Sequence, residues 1–253
     1  MLARDLRLAL DRASFMQTLG LTPDNWQASF LDCESGRALM LCTRQAGKST
    51  VTAVLALHQA LYFPGSLVLV LSPSLRQSQE LYKKVIDFYL LLGHPLGEAK
   101  ALTLEMTNKS RIISLPGSER TIRGFSRVDL LIIDEAARVL DDLYFSISPM
   151  LAVSGGRLVA LSTPFGKRGW FFDAWESGGE IWKRFKVTAD MCPRISPEFL
   201  AAEKRSLPDR IYRQEYFCEF LQTDDAVFAY DDIMGAISTE VKPLVFGLEG
   251  SKS

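Results

Sequence analysis

The run from Ala38 to Thr50, Ala-Leu-Met-Leu-Cys-Thr-Arg-Gln-Ala-Gly-Lys-Ser-Thr, commits this chain to one local architecture before anything else is considered. It is an apolar strand, a tight loop closing on Gly47-Lys48-Ser49, and a helical pattern that takes over at Val51. A loop that feeds a strand into a helix N-terminus presents several backbone N–H groups, and the positive end of the helix dipole, to one point in space; that point suits a phosphate. Lys48 is placed to reach the β- and γ-phosphates of a nucleoside triphosphate, and the Ser49 hydroxyl to bind Mg²⁺. Thr50 reads as the start of the helix. The usual form of this loop has Gly six residues before the Lys, where this chain has Cys42, but the strand before and the helix after supply the structural context that gives the motif its meaning.

A second segment answers the first. Asp129-Leu130-Leu131-Ile132-Ile133-Asp134-Glu135 is a run of branched apolar residues ending in two carboxylates. A continuous apolar run suits a central parallel strand covered on both faces. Ligand groups of open α/β sheets gather at strand C-termini. There Asp134 would hold the Mg²⁺ shell and Glu135 would polarise an attacking water.

The rest of the chain supports one large α/β domain. Its 253 residues, 47% of them hydrophobic, suffice for a sizeable core. A formal net charge of −1 means that any nucleic-acid contact must come from a local patch. Cys33, Cys42, Cys192 and Cys218 show no paired metal spacing and read as free thiols of a reducing compartment. Arg4, Asp5 and Arg7 interrupt the first ten residues, giving an amphipathic helix rather than a signal peptide. No stretch is long enough to span a bilayer. His58 and His94 stand alone and are expected to have no catalytic part.

The pattern along the chain predicts a helix over 1–20 ending at Gly20, and a short helix begun by Thr22-Pro23 that carries Trp26 and Gln27. Strands are predicted at 38–42, 67–72, 111–115, 130–134, 157–162 and 183–188, with helices at 48–62, 75–92 and 136–146. That alternation predicts a mainly parallel sheet with helices on both faces. Helical segments at 197–206 and 208–219 form a candidate lid, and the chain turns irregular from Thr223. The expected division is an ATPase core over 1–190, a lid subdomain over 191–222 and a linker over 223–253.

Five segments, in this order and spacing, resemble the ATPase half of the large terminase subunit of tailed bacteriophages, over about residues 22–228. Trp26-Gln27 is similar to the family's adenine motif, and Arg44-Gln45-Ala46-Gly47-Lys48-Ser49-Thr50, with Thr43 before it, to its variant phosphate loop. Ile122-Arg123-Gly124 followed by Leu131 to Ala137 resembles its acidic-strand block, Ser162-Thr163-Pro164 its coupling motif, and Arg213 to Phe220 its closing block. The resemblance implies a RecA-like P-loop NTPase with a mainly parallel central sheet and a small helical lid subdomain. It implies ATP and Mg²⁺ as cofactors and ATP hydrolysis that drives double-stranded DNA into a prohead. Partners implied are the portal protein, the small terminase subunit and a homo-oligomeric ring of about five subunits; location is the host cytoplasm, transiently the prohead portal. The isolated domain is expected to be a monomer with slow turnover and weak DNA binding. The family continues into a nuclease domain, and no nuclease activity is expected from these residues.

Each candidate role has a chemical reason. Gln27 carries a donor and an acceptor that match the adenine N6 and N7 edge. Arg44, in the loop, would neutralise γ-phosphate charge in cis; Arg138, one helical turn past Glu135, would act as an arginine finger on a neighbouring subunit, and only one of the two need do so. A hydroxyl at Ser162-Thr163 would sense the γ-phosphate from the end of its strand. Arg76, Lys83, Lys84, Lys167 and Arg168, with Lys183, Arg184 and Lys186, are candidates for DNA phosphate contact, which needs only positive charge and position. Two other readings stand: a helicase-like or remodelling-type DNA-dependent ATPase, which would need a second RecA-like domain, and a silent ring component that binds nucleotide only.

Overall fold

The apolar runs form a seven-stranded sheet, and its interior strands are the most continuously buried segments of the chain. In the computed structural model, residues 2–94, 101–117 and 124–222 are described. Strands β1 (Arg37–Cys42), β2 (Leu67–Ser72), β3 (Thr103–Glu105), β4 (Arg111–Pro116), β5 (Leu130–Asp134), β6 (Arg157–Ser162) and β7 (Lys183–Val187) line up in the order β3-β4-β2-β5-β6-β1-β7. All neighbours are parallel except β3, which runs antiparallel to β4 at the edge. Every residue of β2 and of β5 is buried, as expected where a parallel sheet is covered on both sides.

Side chains alternate between the two faces. Met40, Val70, Ile132 and Val159 point to one face and join Phe15, Phe30, Val54 and Leu81. These come from helices α2 (Arg12–Thr18), α3 (Asn25–Leu31), α4 (Lys48–Tyr62) and α5 (Leu75–Leu91). Leu39, Leu69, Leu131 and Ala160 point the other way and pack with Leu143, Ile147, Trp170 and Phe171. Those belong to α6 (Asp141–Ile147) and α7 (Gly169–Ser177). Truncating a fully buried leucine such as Leu39 to Ala is expected to cost about 2–5 kcal/mol.

Helices α8 (Pro197–Ser206) and α9 (Asp209–Phe217) follow the sheet. Pro197 opens α8 behind Ser196, whose hydroxyl accepts from the Phe199 N–H at 3.2 Å. Residues 1–221 cluster as one unit and residues 222–253 as another. The linker expected at 223–253, and Ile122-Arg123 of the acidic-strand block, lie outside the described residues.

Local departures from the predicted pattern have physical causes. The N-terminal helix is two, with α1 (Leu2–Leu10) ending before Asp11, whose carboxylate accepts from the Ser14 N–H at 2.8 Å and starts α2. Helix α3 is opened by Asp24 rather than by Thr22-Pro23, because Asp24 and Gln27 form a reciprocal capping box. Helix α4 spans Lys48–Tyr62 as predicted, but with Gly47 as its cap Thr50 lies inside the first turn rather than starting the helix. The helix predicted at 136–146 is a 3₁₀ turn over Ala136–Arg138 followed by α6. Glu135 sits in the left-handed region at φ 50° and its carbonyl accepts from the Arg138 N–H at 2.9 Å, so the chain turns tightly before a helix can begin. Three cysteines are buried, Cys33 is half-buried and all four are free. Among the described residues no helix is long and apolar enough to cross a membrane.

Candidate functional site

The C-terminal ends of β1, β6 and β5 finish level with one another: Leu41 stands opposite Ser162, and Leu161 opposite Asp134. The two motifs separated by more than eighty residues are therefore brought to one edge of the sheet, with β6 between them. The loop from Thr43 leads off β1 with Gln45 at φ 62° and Gly47 at φ 95°. Two left-handed residues bend the backbone so that the loop curls over the first turn of α4. Space at 47 is also tight: a Cβ there would stand 2.8 Å from Gln27 Nε2 and 3.2 Å from Arg194 Nη2, so those side-chain ends would have to give way.

Lys48 crosses from this loop to the acidic strand. Its Nζ lies 3.4 Å from Glu135 Oε1, and Arg138 Nη1 donates to Glu135 Oε2 at 2.8 Å. One carboxylate is thus held by two cations, with Thr163 next to it: Arg138 also donates to Thr163 Oγ1 at 3.1 Å, and its guanidinium lies 4.7 Å from the Phe165 ring centre. Ser162 Oγ accepts from the Ala137 N–H at 3.2 Å and ties β6 to the turn after β5. Ser162, Thr163 and Pro164 are all buried.

Asp134 is buried, and its Oδ1 accepts from the Glu135 N–H at 3.0 Å. Burial, and then the negative charge of Glu135, push its carboxyl up to about 6. A hard divalent cation suits Asp134, because a carboxylate kept from water beside a second carboxylate gains by binding positive charge; the Ser49 hydroxyl, at the start of α4, would be the second oxygen.

Beside the loop runs a cleft of about 860 Å³. Lys48, Ser49 and Thr50 line it on one side, and Ile195, just before α8, with Phe199 and Tyr216 of the α8–α9 pair on the other. Arg44, Lys84 and Arg194 add positive charge to its lining, which is the electrostatic requirement for a polyphosphate. The helical pair is fastened to the loop at both ends. Arg194 Nη2 donates to the Ala46 carbonyl at 2.7 Å, while Thr43 Oγ1 donates to the Glu215 carbonyl at 2.7 Å and Arg44 pairs with the Glu215 carboxylate at 2.7 Å.

The structure sorts the sequence candidates. Thr43, Arg44, Gln45, Ala46, Gly47, Lys48, Ser49, Asp134, Glu135, Arg138 and Thr163 converge at the sheet edge. Trp26 is a core residue. Gln27 is buried beside Gly47, with its amide oxygen accepting from the Asp24 N–H at 3.0 Å, which leaves the NH₂ group on the loop side. Arg138 is engaged within its own chain. Lys84, placed among the DNA candidates, instead donates to Thr50 Oγ1 at 3.2 Å and lines the cleft. Arg184 donates to the carbonyls of Ala174 and Trp175 at 2.9 and 2.7 Å and so closes the end of α7 rather than facing solvent as a phosphate contact would. Arg76, Lys83, Arg168, Lys183 and Lys186 are exposed. The residues missed were Asp24 and Arg194 at the loop, and Glu215 behind it. Asp24 had a readable signal, the Asp-x-x-Gln capping pattern; Arg194 had none.

Comparison with known proteins agrees with this geometry. Residues 39–234 match the family model for the terminase large subunit, T4likevirus-type, N-terminal. The large terminase subunits of Thermus phage G20c and Thermus virus P23-45 are each 25% identical over 258 residues, covering 87% of this chain and 53% of theirs. The chain therefore spans about half the length of the curated relatives it matches. Among solved structures, the large terminase ATPase domain of Thermus phage P74-26 superposes with a TM-score of 0.71 at 24% identity, over 82% of this chain and 98% of that one. The large terminase of a thermophilic bacteriophage in complex with ADP gives 0.66 at 13% identity, over 79% and 54%. The fold is that of the RecA-like ATPase domain of large terminases.

Proposed function

Because the chain belongs to the terminase large subunit, T4likevirus-type, N-terminal family, we propose that it hydrolyses ATP to drive double-stranded DNA into a viral prohead. The observation that carries the reading is the meeting of Lys48 and Arg138 on the two oxygens of Glu135, next to Asp134 and over the phosphate loop. Asp134 and Ser49 would hold Mg²⁺, which when bound would offset the charge of the phosphates.

Every other part falls to this chain's residues. Loop N–H groups and Lys48 bind the phosphates. Drawn toward a triphosphate, Lys48 leaves Glu135, whose Oε1 is then open to a water. Glu135 orients a water for in-line attack: the water oxygen bonds to the γ-phosphorus, the bond to the β,γ-bridging oxygen breaks, and the proton goes to Glu135. Arg44, two-thirds exposed at the cleft and tethered to Glu215, offsets γ-phosphate charge. Arg138 joins Glu135 to Thr163 and so to the end of β6; through them hydrolysis shifts the coupling segment and the α8–α9 lid. Arg76, Lys83, Lys167 and Arg168 are assigned to DNA phosphates, and a ring of about five copies on the portal is the working assembly.

Glu135→Gln tests this. It should keep ATP affinity and lose turnover, measured as phosphate release; normal turnover by the variant would remove Glu135 from the role of base. Turnover that rises steeply with protein concentration supports assembly, and an unchanging specific activity opposes it.

A further inference from the structure

We propose that Arg194 is a positioning residue that presets the phosphate loop by locking the Ala46–Gly47 peptide plane, with Asp24 holding it in place. The proposal rests on the reading of the cleft as a triphosphate site. A trans peptide is planar and carries its C=O and N–H on opposite edges. Arg194 Nη2 pulls the Ala46 carbonyl from one edge at 2.7 Å. In a planar trans peptide the Gly47 N–H is thereby held on the edge opposite Arg194, free to meet a phosphate on the proposed reading. This plane needs a lock, because Gly47 sits at φ 95° and glycine rotates with little steric penalty. The lock is itself braced: Asp24 takes Arg194 Nη1 at 3.0 Å and Nη2 at 2.7 Å, a two-pronged pair that fixes the guanidinium plane. Gln27 closes the same point from below, its Nε2 packed where a Cβ of residue 47 would be.

Three distant stretches, at 24–27, 46–47 and 194, therefore meet on one peptide bond. Arg194 also stands two residues ahead of the Ser196 cap of α8. The position of the helical pair and the competence of the loop are then one equilibrium: lifting α8 releases the Ala46 carbonyl and lets the Gly47 N–H turn away.

The test uses the chain as it stands, with Arg194→Ala, Arg194→Lys, Asp24→Asn and the double variant Asp24→Asn/Arg194→Ala. Binding of ATP and of inorganic pyrophosphate is measured by calorimetry, with thermal unfolding beside it. Asn keeps the helix cap at position 24, so Asp24→Asn folds even if Arg194→Ala does not. Arg194→Ala and Asp24→Asn should each weaken both ligands about tenfold or more, because a charge-assisted pair and its carbonyl contact are lost together. Arg194→Lys should not restore affinity, since an ammonium cannot span the carboxylate and the carbonyl as a planar fork does. The double variant should be no worse than Arg194→Ala, and KM should rise more than kcat falls. Recovery by Arg194→Lys to within about twofold would show that charge alone matters and overturn the assignment. So would a silent Asp24→Asn, or a loss confined to ATP that spares pyrophosphate. Failure of the unaltered chain to bind either ligand would instead sink the nucleotide reading, and the assignment with it.

Discussion

Replacing Asp134 by Asn should stabilise the fold while removing its activity. The carboxyl moves from an ordinary 3.8 to about 6 on folding, chiefly through burial and then through the charge of Glu135. At about 1.36 kcal/mol per pH unit, the folded chain disfavours the ionised Asp134 by about 3 kcal/mol. The sign follows from linkage: the folded state binds the proton more tightly, so its stabilising effect is complete below pH 3.8 and is lost as pH rises through about 6. Asn is neutral throughout and its amide oxygen can still accept from the Glu135 N–H. In urea titrations with chelator present, Asp134→Asn should exceed the unaltered chain by about 3 kcal/mol at pH 8, with the gap closing near pH 4. Added Mg²⁺ should narrow the gap at pH 8 from the other side, by stabilising only the chain that keeps the acid. A variant that is less stable at pH 8, or a gap that does not change with pH, would refute the argument that Asp134 is held ionised at the fold's expense.

Three further outcomes are expected. His58, fully buried and donating from Nε2 to the Leu8 carbonyl at 3.0 Å, has its protonation pushed down to about 4 by burial. Its contribution is present above pH 6.5 and lost as pH falls through about 4, so amides of α1 should lose exchange protection over that range, and a His58→Gln variant should show a flatter pH dependence. Phe199, half-exposed on the cleft wall, is suited to stack on a base; Phe199→Ala should weaken ATP by about tenfold and leave pyrophosphate binding unchanged, read by calorimetry. Thr163→Val should lower kcat severalfold with KM unchanged, because Arg138 then rests on Glu135 alone, while Thr163→Ser should be close to unaltered; equal losses in both would assign Thr163 to packing.

The sheet was legible because burial on both faces leaves a strand no choice of composition. Leu67–Ser72 and Leu130–Asp134 are apolar to their last residues, and the acid that ends β5 marks where the core stops. Strand β3 was not legible: three residues carry no period, and it exists because it pairs with β4. The turn after β5 was misread as helix because Ala136-Ala137-Arg138 has helical propensity, which the left-handed Glu135 overrides. At the site, Lys48, Asp134 and Glu135 announced themselves by motif. Lys84 did not separate from the surface lysines, since its meaning lies in Thr50, 34 positions away. Arg194 was invisible for the same reason, with partners 170 and 148 positions off in sequence.

Charge balance sets the contacts at this site. Around Glu135 stand two cations, one from the phosphate loop and one from the turn after β5, and both reach it at hydrogen-bonding or ion-pair distance. Asp134 beside it is the opposite case, an acid short of positive charge and therefore drawn toward the neutral form. On the proposed reading a triphosphate with Mg²⁺ would answer both imbalances at once: the phosphates would compete for Lys48, and the cation would supply Asp134. Arg138 would stay, because its second partner, Thr163, follows the end of β6 and does not belong to the ligand. On the proposed reading, the event that frees Glu135 would also shift Arg138's weight between Glu135 and Thr163, and the end of β6 would register whether the nucleotide is present. Chemistry and coupling would then be two ends of the chain of contacts Lys48–Glu135–Arg138–Thr163. Each link is polar and short enough to be broken by one substitution without touching the core.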